Sequence, residues 1–248
     1  MEDFLDPLLL TTQQSIDILA HGEIELKGQF VWGSNYTFLV YVQQHELPLQ
    51  AVYKPVKGER ELWDFPPETL AQREFGAFLV SEALGWHFVP ATIIREDGPY
   101  GAGMLQLFIP HDPEKTYFSL TDDEKQRLKA TAIFDIILNN ADRKGSHLLY
   151  DRTGKLWVID HGICFHQEPK LRTVIWDFIG EPIPENILAD VRNLGKAVRK
   201  KGELREKLQD LLLPGELSAL SARIEGIVSH PIFPQPAENF RPFPYPLV

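Results

Sequence analysis

The sequence predicts an α+β chain of two lobes, the first an antiparallel sheet with one helix and the second mainly helical. Two observations carry that expectation. Up to about residue 109 the apolar residues come in short runs broken by Gly, Pro and Asn turns, as strands require. Beyond Pro110 and the polar HDPEKTY segment they recur at helical spacing. The expected division is a first lobe over 1–106, a second over 107–230 and an extended tail over 231–248. With 248 residues, 44% of them hydrophobic, the chain is long enough to bury a substantial core.

In chain order, residues 11–21 read as a short helix capped by Thr11 or Thr12 and stopped at Gly22. ELKGQFVW, YTFLVYV and LQAVYKP read as three strands, the first two joined by a turn at Gly33, Ser34 and Asn35. Backbone N–H groups of such a turn can fold over a phosphate chain, although a plain hairpin loop is written the same way. In LQAVYKP the period of two sets Val52 and Lys54 on one face. An adenine-contacting aliphatic followed by a phosphate-contacting lysine requires that placement; a surface lysine ending a strand satisfies it as well.

A helix over ETLAQREFGAFLVSEAL follows two prolines and stops at Gly85. Leu70, Glu74 and Phe78 share one face of it, so Glu74 lies on an apolar stripe. Burying that carboxylate unpaired costs several kcal/mol, and Lys54 is the obvious partner, with Arg73 the local alternative. FVPATIIRE and MLQLFIP read as two further antiparallel strands. The connector Gln106, Leu107, Phe108 and Ile109 joins the lobes and can offer backbone groups to an adenine edge.

The second lobe opens on a capping box, Thr121 with Glu124, and a helix running to Asn139. The helix delivers Asn139, Asn140 and Asp142 to its C-terminal end. HLLYD and KLWVID around an Asp-Arg-Thr-Gly turn then make a hairpin with His147 at its start and Asp160 at its end. Hard oxygen ligands at the end of a strand, an asparagine pair and an Asp-Arg between apolar runs are a pattern suited to phosphoryl transfer.

The order Lys54, Glu74, NNADRKGSH and IDHG resembles the atypical branch of the two-lobe protein-kinase-like fold. It is similar to the phosphatidylinositol 3-/4-kinase catalytic domain, the HipA-type bacterial kinases and the Fam-twenty secretory kinases, and most resembles the bacterial phosphatidylinositol 3-/4-kinase-like proteins. The resemblance spans about residues 25–165; its specific part is N-x-D-R with D-x-G eighteen residues on. It implies an ATP-dependent kinase using Mg²⁺ or Mn²⁺ and an unidentified hydroxyl-bearing substrate. Nucleotide binding would fall to Gly33, Ser34, Asn35, Val52, Lys54, Glu74, Gln106, Leu107 and Phe108. Lys54 would hold the α- and β-phosphates, Asp142 would orient or deprotonate the acceptor, and Asp160 would bind metal. Arg143 would stabilise charge in catalysis or tie the loop to a carboxylate.

One departure stands at His147, where the family places a metal-binding Asn. Imidazole suits Mn²⁺ or Zn²⁺ better than Mg²⁺, so His147 is a metal-site candidate, and a pseudokinase that binds nucleotide without turnover is the alternative reading. A zinc cluster of His147, Asp160, His161 and His166 is a further, weaker one.

Composition bounds the partners. A net charge of −10 argues against nucleic-acid binding. The lone Cys164 lies in an apolar run and fits a reducing compartment. The only apolar run at the N-terminus, Leu8 to Leu10, is too short for a signal-peptide core or a span, so a cytoplasmic chain without membrane insertion is expected. KLRTVIWDFI is expected to lie under the loop with Trp176 in the core, followed by two amphipathic helices to Leu213 and a last one after Pro214. Lys196, Arg199, Lys200 and Lys201 read as a solvated face, with a phospholipid or acidic-partner role as the alternative. The tail carries six prolines among aromatics and is expected to lie extended along the body.

Overall fold

A computed structural model describes residues 4–30, 36–44, 46–236 and 241–248. The turn of Gly33, Ser34 and Asn35 lies outside the described residues.

Helix α1 (Thr12–His21) opens the first lobe. Thr11 caps it through a capping box: its hydroxyl accepts the Gln14 N–H, and the Gln14 carboxamide accepts the Thr11 N–H. Strands β1 (Glu23–Gln29), β2 (Phe38–Gln43), β3 (Leu49–Pro55), β4 (Thr92–Gly98) and β5 (Gly101–Leu107) form one antiparallel sheet in the order β1-β2-β3-β5-β4. Along β3 the pleat buries Leu49, Ala51 and Tyr53 with Val40, Leu105 and the α1 residues Ile18 and Leu19. Val52 and Lys54 take the opposite, half-buried face, in register with Gln106 and Met104 of β5.

Helix α2 (Leu70–Leu84) ends at Gly85, which takes the left-handed conformation (φ 71°) that glycine adopts without a Cβ penalty. Its start is capped from a distance. Thr69 makes no side-chain cap bond; instead the Glu59 carboxylate accepts the Leu70 and Ala71 N–H groups at 3.0 and 2.8 Å. Two of the orphan donors of the first turn are satisfied there. Ala77, Phe78, Val80 and Leu84 of α2 run into the helical core of the second lobe.

The helix expected from Thr121 to Asn139 is two helices, a correction to the sequence reading: α3 (Asp122–Gln126) and α4 (Lys129–Leu138). Between them the Arg127 and Leu128 N–H groups bond to Glu124 O and Lys125 O, a tight i→i+3 turn. The turn swings Leu128 fully into the core, which a straight helix with an exposed, acidic first turn would not do. The Thr121–Glu124 capping box is present. Asn139 closes α4 in the left-handed region (φ 53°), which asparagine tolerates.

Strands β6 (Leu148–Tyr150) and β7 (Leu156–Val158) form the hairpin. Asp151 holds its turn by accepting from Thr153 N–H and hydroxyl, Lys155 N–H and the Trp157 indole. Helices α5 (Glu185–Arg199), α6 (Glu203–Leu211) and α7 (Pro214–Ser229) complete the lobe. Ile187, Leu188, Val191, Leu194 and Val198 of α5 are all buried, each contributing about 1.5–3 kcal/mol over exposure. The apolar face behind the cationic run at Lys196 is therefore occupied by the core. Val174, Ile175 and Phe178 are buried, and Trp176 is half-buried with its indole N–H on Pro242 O. Among the described residues no helix is long and apolar enough to cross a membrane.

Candidate active site

A cavity of about 510 Å³ separates the lobes. Val52 from β3, Leu107, Phe108 and Ile109 from the connector, and Leu149, Ile159 and Ile163 from the second lobe make its apolar end. Lys54, Arg60, Asp142, Lys144 and Asp160 also line it, Lys54 beside Asp160 and Lys144 beside Asp142. The Ile109 N–H has no partner among the described residues, so the connector presents a free donor. Gln106 also lines the cavity, but its carboxamide is turned to the Thr92 hydroxyl at 2.9 Å.

Three elements meet at Lys54. Its Nζ lies 2.7 Å from Glu74 Oε1 of α2 and 2.9 Å from Asp160 Oδ1 after β7. Glu74, only 2% exposed, uses Oε2 to accept the His161 N–H at 2.8 Å. The carboxylate on the apolar stripe thus takes Lys54 as its partner. Arg73 leaves by another route, to Glu216 of α7 at 2.7 Å and to Cys164 O, with Phe65 under its guanidinium. Burial disfavours the Lys54 ammonium, but Asp160 and Glu74 more than offset it and raise its pKa. The same lysine holds the Asp160 carboxyl well below the usual range. Burial lifts Glu74, against the pull of Lys54.

Asp160 stands at φ 63°, an uncommon conformation for a residue with a side chain, and one held where the surroundings over-determine it. Here the flanking Ile159 and His161 do so: Ile159 O accepts from Arg143 and Ile159 N–H bonds to His147 O, while His161 N–H bonds to Glu74.

The loop after α4 is held by a buried ion pair. Asp135 and Arg143 are both fully buried. The Asp135 carboxylate takes Arg143 Nε at 3.0 and 3.2 Å, Asn140 Nδ2 at 3.0 Å and the Thr173 hydroxyl at 3.1 Å. Arg143 also reaches Ile159 O at 2.8 Å and His161 Nε2 at 2.7 Å. Of the two roles open to it, charge stabilisation or a tie to a carboxylate, the geometry is that of the tie: Arg143 does not line the cavity and is bonded to Asp135 and Ile159 O. Asn140 Oδ1 accepts the Asp142 N–H, and Asn139 binds the backbone at 166, 168 and 170. Both asparagines therefore fix backbone, Asn140 within the loop and Asn139 in the segment after Phe165.

Asp142 lies half-buried at the cavity wall with Lys144 Nζ 2.9 Å from its Oδ2. Burial lifts its carboxyl above the ordinary value, with Lys144 pulling the other way. Lys144 was missed by the sequence reading, yet it carried a signal: in an extended loop a cation two residues from Asp142 falls on the same side. Arg60 comes from the linker before α2, and nothing local in the sequence marks it.

His147 is buried, and burial drops its pKa to about 3, so the ring is neutral. Its Nδ1 accepts the Lys144 N–H at 3.4 Å, which assigns the proton to Nε2, 3.3 Å from Asp160 Oδ2. In that tautomer the ring nitrogen nearest Asp160 carries a proton and presents no lone pair there. Among the described residues no group of three His, Cys, Asp or Glu can hold a metal. His161 faces Arg143, and His166 accepts the Glu168 N–H and packs on Phe65, so the zinc-cluster reading is not supported. The donor set fits Mg²⁺, which takes one or two carboxylates and completes its shell with water and phosphate; Asp160, which lines the cavity, is a carboxylate that could hold it. Cys164 is buried and its thiol pushed up by burial, consistent with an apolar filler.

Comparison with known proteins places this arrangement. The family model for phosphatidylinositol 3- and 4-kinase matches residues 72–213, more than half of the chain, a span that holds Glu74, Asp142, Arg143, His147 and Asp160. Protein Rv2133c of Mycobacterium tuberculosis is 40% identical over 264 aligned positions, covering 92% of this chain and 94% of that protein. The crystal structure of the Helicobacter pylori proinflammatory kinase CtkA superposes with a TM-score of 0.53 at 11% identity, covering 87% of this chain and 94% of that one. At that identity the likeness is one of fold, the two-lobe kinase-like α+β architecture. The chain belongs to the phosphatidylinositol 3- and 4-kinase family.

Proposed function

We propose that the chain is an ATP-dependent phosphotransferase that moves the γ-phosphoryl group to a hydroxyl acceptor. The observation that carries this reading is Lys54, held between Glu74 and Asp160 on the wall of a nucleotide-sized cavity that also receives Asp142. Val52 and the apolar floor of Leu149, Ile159 and Ile163 would sandwich the base, with the Ile109 N–H as its edge donor. Lys54 would take the α- and β-phosphates. Asp160 would hold Mg²⁺ or Mn²⁺, which when bound neutralises developing phosphate charge. The acceptor oxygen would bond to γ-phosphorus as the bond to the β-bridging oxygen breaks, ADP leaving and the hydroxyl proton passing to Asp142.

A protein Ser/Thr or a small molecule suits the acceptor role better than a lipid head group. The net charge of −10 opposes an anionic bilayer surface, and the amphipathic face of α5 is spent on the core. Family membership does not transmit the substrate.

One observation favours a second reading. His147 stands where the family has a metal-binding Asn, with its protonated Nε2 3.3 Å from Asp160 Oδ2, which suits a nucleotide-binding module without turnover. Asp142→Asn decides between them. The enzyme reading expects ATP consumption to fall by about 10²–10⁴ while the ATP-and-metal thermal shift persists. A shift without consumption in the wild type favours the module, and no shift with either metal overturns both.

A further inference from the structure

The tail meets the catalytic loop on the side away from the cavity. Asp142, Lys144, Ser146 and His147 line the cavity, whereas Arg143 and Gly145 do not, so the loop is two-sided. On the outer side the Gly145 N–H donates to Leu247 O at 2.8 Å. The Thr173 N–H and the Trp176 indole N–H both donate to Pro242 O, at 3.0 and 3.1 Å. Thr173 belongs to the strip that bridges Arg143: Arg143 N–H bonds to Arg172 O and Val174 N–H to Arg143 O. Thr173 also caps the Asp135 carboxylate. The tail thus touches both the loop itself and the strip that holds it.

Each contact is made to tail backbone carbonyl, the way an extended polypeptide is read when its own N–H groups are removed by proline. Within the tail Arg241 donates to Pro244 O and lies over the Tyr245 ring, an internal brace. Upstream, Phe233 is buried against Phe178 and its N–H bonds to Glu181 O. That anchor keeps the docked segment at high effective concentration.

We propose that Gly145, Thr173 and Trp176 form a docking site for extended, proline-containing polypeptide, filled in cis by residues 241–248, and that its occupancy sets the catalytic loop. The site holds the tail reversibly, by local release without global unfolding. What the loop then does rests on the phosphotransfer reading; the docking itself does not.

The test uses the full-length chain with residues 241–248 replaced by a Gly-Ser stretch of equal length, and the synthetic peptide RPFPYPLV as probe. Hydrogen exchange reads the Gly145 and Thr173 amides for docking and the Lys144 and His147 amides for the loop. Exchange at all four is expected to rise about tenfold or more, the size of change a local opening gives, and millimolar peptide is expected to restore protection. Unchanged exchange at Gly145 and Thr173, or loss that peptide does not reverse, overturns the docking site. Protection lost at those two alone overturns the coupling to the loop. If the replacement does not fold, Trp176→Phe in the otherwise intact chain removes one donor, and an unchanged Thr173 amide then overturns the proposal. Loss and rescue with no ATP consumption in any form leaves the docking in place and sinks the phosphotransfer reading instead.

Discussion

Asp135→Asn is the substitution that most directly probes what holds the catalytic loop. It keeps shape and removes charge. In the wild type three donor atoms converge on a fully buried carboxylate, Arg143 Nε, Asn140 Nδ2 and the Thr173 hydroxyl, with Arg143 Nη2 3.0 Å from Oδ1. An asparagine offers one accepting oxygen, so its amide must point a donor at one of these donors, and Arg143 keeps its charge without a counter-ion. Breaking a buried pair from one side costs about 3–5 kcal/mol, against a total stability of about 5–15 kcal/mol. For a chain of this size the midpoint of thermal unfolding should fall by about 6–20 °C. Urea unfolding followed by tryptophan fluorescence gives the free energy directly. Asp135→Leu with Arg143→Met removes both charges and should recover about 1–2 kcal/mol of the loss, since paired removal is often neutral. A loss below about 1 kcal/mol for Asp135→Asn would refute the claim that this pair anchors the loop.

Three further outcomes are expected. Lys54→Met should weaken ATP binding by about tenfold or more, since charge-assisted phosphate contacts are worth about 1.5–3 kcal/mol, measured by calorimetry; an unchanged affinity would remove Lys54 from the nucleotide site. His147→Asn should leave the Mg²⁺-dependent ATP thermal shift in place, because the His147 nitrogen beside Asp160 carries a proton and offers a metal no lone pair; abolition of the shift would show that imidazole ligates. Asp151, with a carboxyl held below its ordinary value because four hydrogen bonds outweigh its burial, contributes stability present above the unfolded-state pKa and lost as pH falls through the folded one. Asp151→Asn should therefore cost about 1–3 kcal/mol at neutral pH and flatten the acid limb of the stability curve, and an identical acid limb in the two proteins would contradict the assignment.

Much of the site was legible because its signals are local. Period-two burial put Val52 and Lys54 together on β3, and helical spacing put Glu74 where only a buried partner could hold it. The capping box, Gly85 and the N-x-D-R to D-x-G spacing likewise belong to neighbours in sequence. The unreadable parts depend on distant residues. Glu59 caps α2 across eleven positions, and Arg73 is claimed by Glu216 across 143; no pattern in a single chain announces either. The break at Arg127–Leu128 was hidden because both halves are good helix and only the depth of the core around Leu128 separates them. The role of Arg143 turned on Asp135, which reads from sequence as one more residue on the α4 face.

The charges of the cleft carry a last consequence. Lys54 and Lys144 are each neutralised in place, the one by Glu74 and Asp160, the other by Asp142. In a chain of net charge −10 the cavity is thus self-paired without ligand. Phosphate oxygens entering the site must compete with Asp160 for Lys54 and with Asp142 for Lys144. In the proposed reaction, winning that competition would free two carboxylates, Asp160 for metal and Asp142 for the acceptor hydroxyl. Glu74 is not released by the exchange, because it is buried and fixed by the His161 N–H as well as by Lys54. AMP brings only the α-phosphate and drives the exchange less far than ATP, so a smaller metal enhancement is expected for AMP than for ATP, and equal enhancement for the two in calorimetry would contradict this account of the cleft.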